Sequence, residues 1–512
     1  MSEERSSRKK EFAAPLSSPD VDEGAMRALS ESAVAIVSEY FSDISTRRVF
    51  PGQDSIEWLA KIRDARLADE GEAVERIVED FRLLLDASRH NGHPRFFGYI
   101  ASPATPVGAY ADLLASALNQ NVTSWRSAPA ATEVERAVVG WLAEMVGYAR
   151  DSEGILTGGG SLANLTALLM AHRSRSPRAV ARKGLSAVDA PMTVYASEQV
   201  HLSIPKAADV LGLGRDHVRL IETDDDFRLN VKGLRERIDA DLREGFKPFC
   251  VVANAGTVNT GAVDPLEEIA DVAKEYGLWL HLDGAYGAPA TLYDEKRDLF
   301  RGIERADSLS MDAHKWLYAP VDCGCLLFRD VEAARQAFSP GEADYIKVHE
   351  ELEREAFAFW DYGLELSRRF RALKLWMVLR YYGRRRLAEA VAHDILLAEY
   401  LAERVRASED FQLLAPVSLS ICCFRYVPAR LRSKLEEAGS EEAPGALERE
   451  LDELNARIMH AVQRGGRAYV SNATLRGRFA LRACITNFRT TRADMDGTLA
   501  IIREAARDLE IE

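Results

Sequence analysis

The sequence predicts an α/β protein: a large domain on a mostly parallel sheet, preceded by a helical segment and followed by a smaller α+β domain. Three observations predict it. Between about 154 and 330, short apolar runs alternate with stretches of helical character, the order that builds strand–helix–strand crossovers. Before that region apolar residues recur at three-to-four spacing. After it, helical signals mix with two strand candidates, 420–426 and 478–485. A chain of 512 residues calls for such a division, at roughly 100–200 residues per domain.

In chain order, residues 1–24 read as a disordered lead. From 25 to 86 the pattern is helical, with Met26, Leu29, Ala33, Ile36, Val37 and Tyr40 in register and a break at Pro51 and Gly52. The stretch 93–106 is aromatic and proline-containing and reads as a packed loop, so the N-terminal helical segment is taken as 25–106. Helices are expected at 108–118 and 132–146, the second opened by Thr132 and Glu135 as a capping box. Strands follow at 193–196, 249–252, 278–282, 308–311 and 323–328, with helices at 162–172, 205–211, 231–244 and 265–276. Ligands of such a domain belong at the carboxyl ends of its strands. The polar segment 339–355 reads as a long exposed loop, mobile and of lid length. A long amphipathic helix over 369–381 follows, and the large domain is taken as 107–390. The rest, 391–512, holds a Glu-rich insertion at 436–450 and forms the small domain. No internal repeat is visible.

Composition narrows the function. A net charge of −14 supplies no basic surplus for phosphates and argues against nucleic acid as a partner. Six cysteines in so long a chain are not a disulfide framework, and the pairs at 323/325 and 422/423 lack CxxC spacing. Buried thiols and a reducing, cytoplasmic setting follow. The start of the chain has no apolar signal-peptide core, and no run of about 18 apolar residues offers a membrane span. None of the ten histidines shows HExxH-type spacing, so no metal is expected.

Four places carry chemistry. Residues 158–164, GGGSLAN, lead from an apolar run into a helix; the glycines admit close approach of backbone amides to an anion, and Ser161 stands at the helix start. The run lacks the endings of nucleotide and dinucleotide loops, so it reads as a monophosphate cradle or as a plain turn. Asp283 leaves a buried strand into a small-residue loop and needs a partner, either a cation or backbone amides, or a protonated heterocyclic nitrogen. His201 stands where a strand gives way to a helix, as a hydrogen-bonded core histidine or as a flat ring stacked on a flat cofactor. His281, inside its strand, takes the structural reading. Lys315, preceded by His314 at another strand end, is poorly suited to packing and well suited to forming a Schiff base. Together they meet the needs of pyridoxal 5′-phosphate: a phosphate anchor, a carboxylate at the pyridine nitrogen and a lysine amine.

Over roughly residues 26–512 the chain resembles the group II pyridoxal-phosphate amino acid decarboxylases, which have the aspartate-aminotransferase fold, fold type I. The likeness rests on HPRFFGY at 93–99, SWRSAPAATE at 124–133, the glycine run, DGAY at 283–286, HKW at 314–316 and SRRFRALK at 367–374. The resemblance implies that Lys315 binds the cofactor covalently, Asp283 pairs with its ring nitrogen and His201 stacks on the ring. It further implies that Gly159, Gly160, Ser161 and His314 hold the phosphate or the lysine region. Thr257 matches a position close to the ring, and Tyr345 matches the loop tyrosine that returns a proton after carbon dioxide leaves. Tyr99, Ile100, Ser102 and Trp125, with Val122, match the substrate pocket of the aromatic decarboxylases.

That resemblance implies an aromatic L-amino acid as substrate, turned into its amine. The polar segment 119–125 keeps glutamate and 2,4-diaminobutyrate open as alternatives. An aromatic aldehyde synthase on the same scaffold is another; its loop residue is commonly phenylalanine, which Tyr345 is not. An aminotransferase and a non-catalytic binding protein are further rivals, the latter opposed by the intact Lys315, Asp283 and His201. Family likeness also implies a homodimer with shared active sites.

Overall fold

The computed structural model describes residues 21–67, 69–149, 151–339, 356–438 and 445–511. Packing groups the chain into two compact units, one running to Arg47 and including Pro51–Ser88, the other made of Arg48–Phe50 and Arg89–Glu512.

The first unit is helical, as its apolar spacing predicts, with helices Glu23–Asp43, Gln53–Asp64 and Val74–Asp86. The expected lead over 1–24 lies outside the described residues as far as residue 20. Asp22 Oδ1 accepts the Ala25 amide at 2.8 Å and caps the first helix. Arg47 pairs with Asp43 at 2.8 Å and Asp86 at 3.2 Å, joining the ends of the first and third helices. Met26, Leu29, Ile77 and Phe81 remain exposed on this unit.

In the second unit the aromatic stretch supplies a short strand, β1 (Phe96–Phe97), where a loop was expected. The large sheet holds β2 (Glu153–Thr157), β3 (Met192–Ser197), β4 (Val218–Ile221), β5 (Lys247–Asn254), β6 (Trp279–Asp283), β7 (Ser308–Asp312) and β8 (Gly324–Phe328). Their order is β2-β8-β7-β6-β5-β3-β4. Strands β7, β6, β5, β3 and β4 pair in parallel, while β8 runs against both β7 and β2. The central strands are buried along almost their whole length, which is why they read as continuous apolar runs. Crossover helices include Gly160–Arg175, Ser203–Val210, Val231–Arg243 and Leu266–Tyr276. Periodicity did not reveal β2 and β4. Both are edge strands, and β4 has four residues of mixed burial, too few to show a pattern.

A second sheet follows, built from β9 (Phe411–Leu413), β10 (Ile421–Tyr426), β11 (Tyr469–Leu475) and β12 (Arg478–Cys484). Its order is β1-β11-β12-β10-β9, antiparallel except where β1 lies parallel to β11. Helices Gly445–Gly465 and Arg492–Ile511 contribute Ile458, Met495 and Ile502 to the cluster that buries Phe424 and Leu481.

Two helices also differ from expectation. The helix expected from Thr132 starts three residues earlier, at Pro129, whose fixed φ suits a first helical position. No side chain caps it, and Thr132 and Glu135 are buried inside it. Glu135 instead forms a buried ion pair with Arg368 and accepts the Leu156 amide at 2.9 Å. The helix expected at 369–381 is Ala372–Arg406, broken at Gly383 by a left-handed φ of 67° just after the expected end. Among the described residues, no helix is long and apolar enough to cross a membrane, and no group of three or more His, Cys, Asp or Glu is placed to hold a metal ion. All six cysteines are buried and unpaired.

Arg368 joins three segments: Nη1 donates to Val122 O at 2.9 Å, Nη2 donates to Leu156 O at 2.8 Å, and the guanidinium lies 4.1 Å from the Phe359 ring centre. Removing one member of such a buried pair costs about 3–5 kcal/mol, because the other charge is left unmatched. Glu135→Leu and Arg368→Met are each expected to lower the urea midpoint strongly. The double variant should lose less than the sum of the two; strict additivity would deny the coupling.

Candidate active site

Parallel strands point their carboxyl ends one way, so residues that follow them gather at one edge of the sheet. Gly158, Gly159, Gly160 and Ser161 follow β2, His201 follows β3, and Asn254 ends β5. Asp283 ends β6, Asp312 ends β7, and His314 and Lys315 stand on the short helix Ala313–Trp316 just beyond. All of them line one cavity of about 700 Å³, together with Tyr99, Ile100, Tyr286 and Arg482. Strand order reverses between β3 and β5, and the cavity opens at that switch point.

The cradle is built by close approach. Gly159 has a φ of 141°, and a side chain on Gly324 would come within 2.6 Å of its Cα. Helix Gly160–Arg175 starts here with no side-chain cap, leaving the positive end of its dipole at the cavity. A Cβ on Gly160 would stand 2.9 Å from Asp312 Oδ2 and 3.0 Å from the Ala285 Cβ, so only glycine lets the helix start pack against the ends of β6 and β7 at the cavity.

Asp283 is buried and meets three donors. Its Oδ1 accepts from the Ala285 amide at 3.2 Å and Ser310 Oγ at 3.3 Å, and its Oδ2 accepts from Asn164 Nδ2 at 2.8 Å. His201 Nδ1 lies 2.8 Å from Ser203 Oγ and accepts the Ser203 amide at 3.3 Å. Burial pushes the His201 imidazole below its ordinary range, with Asp283 opposing and Lys315 assisting, so the ring is neutral near pH 7. His314 accepts the Cys323 amide on Nδ1 at 3.2 Å, and burial lowers its pKa as well. Lys315 Nζ lies 3.0 Å from Asp312 Oδ2. The other oxygen of Asp312 is buried and finds no hydrogen-bond partner among the described residues.

Other expected residues stand further off. Ser102 Oγ donates to His314 O at 3.0 Å, outside the cavity wall but tied to the lysine helix. Thr257 is buried behind the wall, with Oγ1 3.0 Å from Thr260 Oγ1 and accepting the Ala262 amide at 3.1 Å. Trp125 is not part of the wall; its Nε1 donates to Glu133 at 2.9 Å. Val122 is buried in the core. Tyr345 lies outside the described residues. Tyr99 is half exposed, and its hydroxyl lies 3.2 Å from that of Tyr469.

Sequence reasoning passed over Asn254, Asp312 and Arg482 as site residues. Arg482 had a signal: an arginine in the apolar interior of β12 must be matched where it is buried, unlike Arg478 at the strand's half-exposed start. Its Nη1 donates to Tyr99 O at 2.8 Å and its Nε donates to Asn259 O at 3.2 Å. Its Nη2 has no partner among the described residues.

Residues 57–427 match the family described as pyridoxal-dependent decarboxylase conserved domain. An aromatic-L-amino-acid decarboxylase of Bacillus atrophaeus is 34% identical over 486 residues, covering 95% of this chain and 96% of the relative. A 4-hydroxyphenylacetaldehyde synthase of Rhodiola rosea is 31% identical, covering 94% of each chain. The structure of Oryza sativa TDC with PLP and tryptamine superposes with a TM-score of 0.86 at 29% identity, covering 96% of this chain and all of that one. The cavity fits pyridoxal phosphate: the uncapped helix start and glycine opening suit the phosphate, and Lys315 and Asp283 face the same space. Gly160→Ala should push the helix start away from Asp312 and Ala285 and weaken uptake of pyridoxal phosphate by the apoprotein about tenfold, followed by absorbance titration. Unchanged uptake would place the phosphate elsewhere.

Proposed function

The chain belongs to the pyridoxal-dependent decarboxylase family, and on that premise we infer that it removes the α-carboxylate of an aromatic L-amino acid, leaving the amine and carbon dioxide. The observation that carries this reading is the shared cavity, in which Lys315 and Asp283 face the same space as Tyr99 and Ile100. The full-length likeness to an aromatic-L-amino-acid decarboxylase supports it.

Bound pyridoxal phosphate supplies an electron sink for the pair left on Cα when carbon dioxide departs. Residues 159–161 would hold its phosphate with backbone amides at the helix start, and the Lys315 amine would hold its aldehyde end. The Asp283 carboxylate would keep the proton on its ring nitrogen. His201, neutral by burial, would lie against the ring without adding charge. Arg482 takes a substrate carboxylate with its unmatched Nη2, since a buried guanidinium N–H with no partner is costly. The reaction consumes one proton at Cα, and we assign its delivery to Tyr345.

Arg482 also favours a second reading, an acidic substrate such as glutamate, in which it would bind the side-chain carboxylate. Incubation with tyrosine, tryptophan, dihydroxyphenylalanine, histidine, glutamate and 2,4-diaminobutyrate decides. Carbon dioxide and amine from the aromatic acids are expected; turnover of glutamate alone overturns the aromatic assignment. Tyr345→Phe should retain the cofactor and divert product from amine towards aldehyde and peroxide, with oxygen consumed. Unchanged amine yield would remove Tyr345 from its role.

We further assign a cytoplasmic homodimer with shared sites. Trp125 lies off the wall of its own chain's cavity, which fits a role across a subunit boundary, and the first unit exposes Met26, Leu29, Ile77 and Phe81. Light scattering should give twice the chain mass; a monomer with full activity would overturn this.

A further inference from the structure

His281 lies in the middle of β6 and is fully buried. Its Nδ1 lies 2.9 Å from Ser308 Oγ and its Nε2 lies 3.0 Å from Asn164 Oδ1. Asn164 Nδ2 donates to Asp283 Oδ2 at 2.8 Å and to Ser203 Oγ at 2.9 Å. Ser203 Oγ in turn lies 2.8 Å from His201 Nδ1. At the other end, Trp279 Nε1 donates to Ser308 Oγ at 2.9 Å.

The direction of each bond follows from the chemistry of its ends. A carboxylate only accepts, so the Asn164 amide must turn Nδ2 towards Asp283 and Oδ1 towards His281. Asn164 Oδ1 only accepts, so the His281 proton is on Nε2. The neutral ring then has a lone pair on Nδ1, which accepts from the Ser308 hydroxyl. That hydroxyl is free to donate because its oxygen already accepts from Trp279. On the other branch, Ser203 Oγ accepts from Asn164, so its proton points to His201 Nδ1. The Ser203 amide donates to the same nitrogen at 3.3 Å, which leaves the His201 proton on Nε2. Burial holds the His281 imidazole below its ordinary range and keeps it in this single form.

We propose that Asn164 and His281 are positioning residues: one directed hydrogen-bonded chain, from Trp279 through Ser308, His281 and Asn164, orients the Asp283 carboxylate and, through Ser203, selects the tautomer of His201. The assignment rests on the reading of Asp283 and His201 as the groups at the cofactor's ring nitrogen and ring face. Its consequence is that the two groups are coupled through one amide, with no contact between them required. Loss of Asn164 frees one oxygen of Asp283 and unlocks His201 together. Loss of Ser203 affects His201 alone.

Two measurements test it. In the apoprotein labelled with 15N-histidine, His201 should be a single Nε2–H tautomer, and Ser203→Ala and Asn164→Ala should each raise the share of the Nδ1–H form, with the longer bond from the Ser203 amide keeping part of the preference. In the holoenzyme, the pH midpoint of the bound cofactor's absorbance change should move by about one pH unit, a tenfold change in the equilibrium, in Asn164→Ala and His281→Leu. His281→Gln, whose side-chain amide can still donate to Asn164, should restore the midpoint, and Ser203→Ala should leave it near that of the parent protein. A His201 tautomer indifferent to Ser203 and Asn164 overturns the proposal. So does a midpoint unmoved by Asn164→Ala, or equally displaced in His281→Gln and His281→Leu, which would mark mere structural damage. Should His281→Leu fail to fold, Asn164→Ala and Ser203→Ala still decide. A parent protein that takes up no cofactor would defeat the cofactor reading alone, leaving the tautomer result to stand by itself.

Discussion

A carboxylate at the end of a buried strand has to be met by donors, and Asp283 sets that demand for the whole second unit. The donors come from three places: the backbone just beyond β6, Ser310 on β7, and Asn164 one turn into helix Gly160–Arg175. Meeting them holds the start of that helix against the end of β6. The glycine opening lies at the helix start, so the same bonds set its position relative to Lys315, which follows β7.

The surrounding packing serves the same geometry. Gly159 and Gly324 approach too closely to admit a side chain, which brings the turn after β2 against the start of β8. Arg368 and Glu135, buried together, join the segment at 122, the end of β2 and the helix Pro129–Val146. Arg368 and Glu135 do not line the cavity, whereas Gly159 does. The charged pair supplies donors and an acceptor to backbone groups at 122 and 156 that an apolar pair would leave unmatched.

Much of this was legible in residue order. The five buried strands stood out as apolar runs because both of their faces are covered, and the strand-end placement of Asp283, Lys315 and His201 followed from them. Edge strands β2 and β4 did not stand out, since a short edge has no long run and no clean alternation. Glu135 gave a false capping signal because its spacing from Thr132 is that of a cap, while its true partner is 233 residues away. His281 was read as structural; it is buried as that reading requires, yet it touches the amide that holds Asp283.

Local pattern and residue chemistry thus identified the family and the cofactor and picked out Lys315, Asp283 and His201, which share one cavity, because each of these depends on a short motif at the end of a strand. Partnerships across the fold were decided by packing alone. Arg482 reaches the cavity from β12, Asn164 joins His281 to Asp283, and Trp125 lies away from the wall. No spacing along the chain encodes those outcomes, since each depends on which elements the buried core brings within hydrogen-bond distance.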